Sequence, residues 1–209
     1  MREAAISGGF WTLARTAAFL GRHAATRKAL PALLFFTDPV RTPDPEAIAG
    51  RLPRGAAIVF RAFGAADADE RGARLAAIAR ERGLTLLIGA DASLAARLGA
   101  DGVHLPERLA CRARRLKAAH PGWIVTAAAH STAAARRALA LGADAAVVST
   151  VFASASASAG APMGPIRLAI LVRRTGGPVY ALGGVDNKKA RLLKDTGLVG
   201  LAAVDAFRT

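Results

Sequence analysis

From residue 33 onward the chain is a regular succession of short apolar runs, each followed by a polar or amphipathic stretch. The runs are LLFFTD (33–38), AAIVFRAF (56–63), LTLLIGA (84–90), DGVHL (101–105), WIVTAAAH (123–130), DAAVVST (144–150), PVYALGG (178–184) and LVGLAAVDA (198–206). They are continuously apolar rather than alternating, which is the pattern of parallel strands covered on both faces. Between them lie DADERGARLAAIARER, PERLACRARRLKAAH, STAAARRALAL and DNKKARLLKDT, whose apolar residues recur three and four apart, as on helices. Gly83, Gly99, Gly142, Gly176 and Gly197 stand where those helices should stop. Eight strand–helix units in 209 residues predict an α/β fold, a compact (β/α)₈ TIM barrel. The repetition of GADGVHL (99–105) in GADAAVV (142–148) supports the count. The rival is an open, doubly wound sheet. Its fingerprint is a glycine-rich turn after the first strand, and FFTDPVRTPDP contains no glycine.

The eighth run is followed almost at once by Thr209, so the expected barrel has no closing C-terminal helix. An amphipathic segment around 10–29, with Phe10, Leu13, Ala17, Leu20 and Ala24 about a turn apart, is the expected substitute. The division expected is residues 1–30 as an N-terminal helical extension packed on the barrel and 31–209 as the barrel itself. Arg15 and Arg22 interrupt the extension, which argues against a membrane span, and no small-residue cleavage site marks a secretory signal. FASASASAGAPMG (152–164) reads as a loop of small residues on the active face.

The hydrophobic fraction, 53%, is enough for a sizeable core. Cys111 is the single cysteine, so no internal disulfide can form; this fits a cytoplasmic protein, and the residue is expected to be buried in a helix. The formal net charge of +14 suits a phosphorylated metabolite, but the arginines are spread along the helices. With aromatic residues at 5% and no recognition motif, a nucleic-acid partner is not expected.

In a (β/α)₈ barrel the chemistry sits at the C-terminal ends of the strands. Those ends offer Thr37, Asp38, Arg61, Asp91, His104, Glu107, His130, Ser131, Thr150, Ser154, Ser156, Ser158, Gly183, Gly184 and Asp205. ALGGVDN (181–187) is the clearest signal. Two glycines between a strand and a helix let backbone approach an anion, and the helix start presents unpaired N–H groups to it; Asp205 works against this by adding negative charge nearby. His104 and His130 end neighbouring strands and are candidate proton carriers. His23 and His120 read as surface residues. No histidine pair has metal-ligand spacing, and no GxSxG elbow is present.

LLFFTD, GADGVHL, the histidine after strand five, VFASAS, VYALGGV and VGLAAVDA resemble the thiamine phosphate synthase and thiazole tautomerase family over about residues 33–206. The resemblance implies a (β/α)₈ barrel. The synthases join a pyrimidine pyrophosphate to a thiazole phosphate using magnesium; the tautomerases keep the thiazole phosphate pocket and isomerise the ring by proton transfer. Arg61 matches the arginine of the synthase QLREK strand, while Val59 and Phe63 replace its glutamine and lysine. Gly89 and Ala90 stand for an Asn-Asp pair, with Asp91 one step late, and Pro106, Glu107, Arg108 and Leu109 stand for Gly-Gln-Glu-Asp. The magnesium aspartates are therefore missing from their expected places, although Asp91 or Glu107 could shift to supply one ligand. Ala128 replaces a serine, Ser154 and Ser156 keep the hydroxyls after strand six, Ala157 replaces a lysine, and Gly183 and Gly184 match the phosphate loop. The expectation is a phosphorylated-thiazole protein with His130, Arg61 and His104 as catalytic candidates and Ser154, Ser156, Gly183 and Gly184 holding phosphate. It needs no cofactor unless the synthase reading holds, in which case magnesium enters. Tautomerase-like activity is the first reading, an active synthase the second, and a non-catalytic phosphate-ligand binder the third; a homo-oligomer is left open.

Overall fold

The structure, a computed structural model, describes residues 8–23, 29–154, 156 and 159–207. Among them, α1 (Gly8–His23) precedes β1 (Leu33–Phe36), α2 (Pro45–Ala49), β2 (Ala57–Phe60), α3 (Ala68–Arg82), β3 (Thr85–Gly89), α4 (Ala92–Arg97) and β4 (Gly102–Leu105). A 3₁₀ turn (Glu107–Arg112) then leads to α5 (Ala113–Ala119), β5 (Ile124–Ala129), α6 (Thr132–Ala140), β6 (Ala145–Val148), α7 (Gly164–Thr175) and β7 (Val179–Ala181). The described chain finishes with α8 (Asn187–Ala190), a 3₁₀ turn (Arg191–Leu193), β8 (Gly200–Ala203) and a last 3₁₀ turn (Asp205–Phe207). The strands are parallel and close in sequence order, with β8 pairing back to β1 through Leu33↔Leu201, Leu34↔Ala202 and Phe35↔Ala203. All eight predicted strands are present, trimmed at their ends, and the barrel is the α/β fold that the sequence pattern calls for.

Strand periodicity explains the continuous apolar runs. Successive side chains point to opposite faces, and here both faces are dry. Leu34, Phe36, Ala57, Val59, Leu87, Ala145, Val147, Tyr180 and Ala202 fill the interior. Leu33, Phe35, Ile58, Phe60, Leu86, Ile88, Val103, Leu105, Val148 and Leu201 face the helices. The buried Tyr180 hydroxyl donates to the Pro31 carbonyl at 2.6 Å, so the largest interior side chain has its polar end satisfied.

The repeated GAD tripeptide has a physical basis. Asp101 accepts from the Leu86 N–H and Asp144 from the Val125 N–H, both at 2.8 Å. Each aspartate, placed just before its own strand, ties the start of a neighbouring strand. In the first copy Gly102 is required, because a Cβ there would lie 1.9 Å from the Ile124 carbonyl oxygen.

Local expectations are corrected at two helices and at Cys111. The helix expected over 106–120 is a 3₁₀ turn followed by α5, and the one over 186–196 is α8 followed by a 3₁₀ turn. Cys111, expected buried, is exposed: on the tighter 3₁₀ turn it is Ala110 that points inward. The N-terminal helix, expected around 10–29, covers Gly8–His23, and residues 24–28 lie outside the described residues.

Helix α1 lies against β1, β8 and α8. Leu13, Ala17 and Leu20 are buried in the outer apolar layer, and the Leu13 N–H donates to Asn187 Oδ1 at 3.2 Å. Gly21 allows the approach, since a Cβ would stand 3.0 Å from the Ala32 side chain. Phe207 adds an edge-on contact to Phe35, with ring centroids 5.1 Å apart. Deleting residues 1–30 should therefore expose barrel surface and make the protein aggregate. Leu13→Ala or Leu20→Ala in the full chain should each cost about 2–5 kcal/mol in chemical denaturation. A soluble truncation with unchanged unfolding midpoint would show that α1 is not a structural cover.

Candidate functional site

All eight strands deliver their C-terminal ends to one rim, and a cleft of about 1240 Å³ opens there. Phe36, Arg61, Gly89, His104, Ala128, Ser149, Leu182 and Ala203 bring it a residue from each strand end. The predicted residues Arg61, His104, His130, Ser154, Ser156, Gly183 and Gly184 all line this cleft. Ser158 lies outside the described residues.

Gly183 and Gly184 follow β7 with φ of +94° and +62°, in the region glycine alone enters at low cost. A Cβ on Gly184 would fall 2.2 Å from the Ala153 carbonyl oxygen. The Gly183 carbonyl accepts from the Phe152 N–H at 2.9 Å, which locks this turn to the loop after β6. Among the described residues neither glycine N–H has a protein acceptor. The helix start that follows differs from expectation: Asp186 Oδ1 accepts from the N–H groups of Lys188 and Lys189, so those amides are taken. Lys189 also reaches the Gly184 carbonyl at 3.2 Å and Asp186 at 3.0 Å. Ser154 Oγ accepts the Ser156 N–H at 3.3 Å, so the two serines belong to one turn.

The two histidines sit in unlike places. His104 faces the barrel interior, with Nδ1 3.0 Å from Thr126 Oγ1 and its ring edge-on to Phe36. Burial, with the Arg61 charge nearby, pushes its pKa down to about 3, so it is neutral at working pH. His130 stands at the rim with its side chain 59% exposed. Glu107 Oε2 accepts from both the His130 backbone N–H (3.0 Å) and Nδ1 (2.8 Å). A carboxylate only accepts, so Nδ1 carries the proton and Nε2 of the neutral ring is left as the basic nitrogen. In the sequence Glu107 stands out as a strand-end residue and a possible metal ligand, not as a partner of His130. Its pairing with His130 depends on β4 and β5 being neighbours, which places the two following loops side by side.

Most other charged groups at the rim are committed to each other. Arg61 donates to the Thr37 carbonyl at 2.7 Å and to Asp38 at 3.4 Å, and its guanidinium lies near the Phe36 and Phe63 rings. Burial lowers its pKa to about 10, which leaves it charged at neutral pH. Asp38 also binds Arg41, which reaches Asp205 at 3.1 Å, so the negative charge expected from Asp205 is partly neutralised. Asp91 caps α4 by accepting the Leu94 N–H, and Ser131 caps α6 through the Ala134 N–H. Among the described residues no three His, Cys, Asp or Glu side chains are grouped to hold a metal ion. The carboxylates that could shift toward one, Asp91 and Glu107, are engaged elsewhere, so the donor set does not fit magnesium. Arg108, which replaces a family glutamate, lines the cleft, as do Arg112 and Lys189, which no sequence signal marks.

Fold and cleft together define a (β/α)₈ barrel protein with an open cleft on its C-terminal face. The chain belongs to the thiamine monophosphate synthase family, whose sequence profile matches residues 33–207. It is 31% identical over 174 residues to a thiamine-phosphate synthase of Thiobacillus denitrificans, covering 79% of this chain and 82% of that one. A thiamine-phosphate synthase of Bacillus velezensis is 28% identical, with 78% and 77% covered. Matches to relatives from Aquifex aeolicus and Coprothermobacter proteolyticus span less than two thirds of those proteins, 65% and 61%. Among solved structures, a thiamine phosphate pyrophosphorylase from Pyrococcus furiosus superimposes with a TM-score of 0.69 at 26% identity, covering 84% of this chain and 90% of that one. No helix among the described residues is long and apolar enough to cross a membrane.

His104 makes acid stability a test of this geometry. Its folded pKa lies below the unfolded value of about 6.5, so below that pH the unfolded chain binds a proton that the folded chain refuses. Stability should fall as pH drops from 6.5 toward 3. Between pH 7 and 5, His104→Asn should lose about 2 kcal/mol less than the parent in urea denaturation. Equal losses would mean that His104 is not held neutral.

Proposed function

We propose that the chain binds a thiazole phosphate on the C-terminal face of the barrel and isomerises its ring, a tautomerase-like reaction of thiamine biosynthesis or salvage. The observation that carries this reading is the His130–Glu107 pair on the rim of the cleft that also holds the unpartnered amides of Gly183 and Gly184. The glycine amides, with the hydroxyls of Ser154 and Ser156, take the phosphate. His130 Nε2 removes a proton from one ring carbon and returns it to another, so no proton is gained or lost overall. Glu107 holds the imidazole in the useful tautomer and offsets its charge while the proton is carried. Arg61, pinned by Thr37 and Asp38, contributes a fixed positive charge, and His104 shapes the floor of the cleft as a neutral ring. The reaction is proposed to need no metal, in line with a donor set in which the nearby carboxylates are already engaged.

Family membership and the thiamine-phosphate synthases among the relatives favour a second reading, an active synthase that couples pyrimidine pyrophosphate to thiazole phosphate. A third, a non-catalytic binder of the same phosphate ligand, needs only the glycine turn. In each reading the partner is a small phosphorylated molecule, met in the cytoplasm, rather than nucleic acid or membrane.

Purified protein should isomerise the carboxylated thiazole phosphate in the presence of EDTA. His130→Ala should lower kcat about 10²–10⁴-fold, as expected for loss of a general base, and Glu107→Gln should lower it less. Thiamine phosphate formed from both synthase substrates with magnesium would favour the second reading. Thermal stabilisation by thiazole phosphate without turnover would favour the third. Gly184→Ala should abolish that stabilisation, because its Cβ collides with the Ala153 carbonyl.

A further inference from the structure

The cationic residues of the cleft are not equivalent. Arg41 and Arg61 are neutralised by Asp38 and Asp205. Arg108 and Arg112, on the 3₁₀ turn after β4, line the cleft, yet neither has an ion pair or hydrogen bond with any described residue. They belong to the same 3₁₀ turn, so two positive charges enter the cleft from one short segment. Nearby carboxylates do not relieve them: Glu107 is held by His130 and Arg137, Asp91 caps α4, and Asp69 is bound to Arg97. A guanidinium pair inside a concave, otherwise neutralised rim is a ready receptor for an oxyanion, which it can meet with forked, charge-assisted hydrogen bonds.

The glycine turn follows β7, and this turn follows β4, three strand positions away round the ring. From this separation we propose that Arg108 and Arg112 form a second anion subsite of the cleft. The ligand then carries two anionic groups, one at Gly183–Gly184 and a second oxyanion, carboxylate or phosphate, bound by the arginine pair without a metal. The inference deepens the proposed function and rests on its placement of the first phosphate.

Isothermal titration of the full chain in EDTA tests it with three probes: thiazole phosphate, its carboxylated form, and inorganic pyrophosphate. Both arginines are exposed, so an Arg108→Gln, Arg112→Gln double variant should fold, which its unfolding midpoint checks. The parent should bind the carboxylated ligand about 10–100-fold more tightly than the plain thiazole phosphate. The double variant should erase that preference while leaving plain thiazole phosphate unchanged. A preference that survives in the variant or is absent from the parent overturns the subsite, as does a variant in which plain thiazole phosphate weakens as much as the carboxylated form.

If neither thiazole binds the parent, the proposed function fails and pyrophosphate decides the subsite separately. Binding to the parent that drops at least tenfold in the double variant supports it. No binding to the parent, or equal binding to both proteins, overturns it.

Discussion

The ladder between β8 and β1 is the constraint on which the rest of this molecule depends. Without it, both end strands would present unpaired backbone, and the interior packed around Tyr180, Phe36 and Leu34 would open to water. Closure also creates the site, because eight parallel strands joined in a ring carry all their C-terminal ends to one rim. The outer face of the closing seam is apolar and needs a cover. Leu13, Ala17 and Leu20 of α1, with Phe207, supply it from sequence positions far apart. A helix at one end of the chain thus protects the strand pair that joins both ends of the barrel.

Charge is distributed with similar economy. With 29 basic and 15 acidic residues, each carboxylate at the rim is in demand. Asp38 serves two arginines and the turn after β1, Asp186 caps a helix and holds Lys189, and Glu107 orients His130. What remains unneutralised beside the cleft is positive, so the local field favours an anionic ligand whatever the origin of the overall charge. The same commitments leave few open carboxylates for magnesium, which is usually held by one or two of them together with water and substrate phosphates.

His104 and His130 show how position places one residue type in two environments. They end adjacent strands, and in sequence they look interchangeable. One side chain falls on the inward face of β4, where burial keeps it neutral beside Thr126. The other lies just beyond β5, exposed and held by a carboxylate from the preceding loop. Proton transfer needs access and an orienting partner, and His130 has both.

The eight strands, the barrel and the glycine turn after β7 were legible in the residues, because they follow from apolar periodicity, glycine placement and run length. These are local properties that each segment carries regardless of its neighbours. The GAD repeat was visible too, although its meaning was not: Asp101 and Asp144 each tie a strand that only folding brings beside them. The exposure of Cys111 and the two split helices escaped because nothing local marks where an α-helical turn gives way to a tighter 3₁₀ one, and that change re-aims the side chains it carries. The pairing of Glu107 with His130, the capture of Asp91 and Asp186 as caps, and the isolation of Arg108 and Arg112 were decided by tertiary structure alone. A charge is free or satisfied according to what stands within a few ångströms of it, and closing the ring determines that distance between residues the chain keeps far apart.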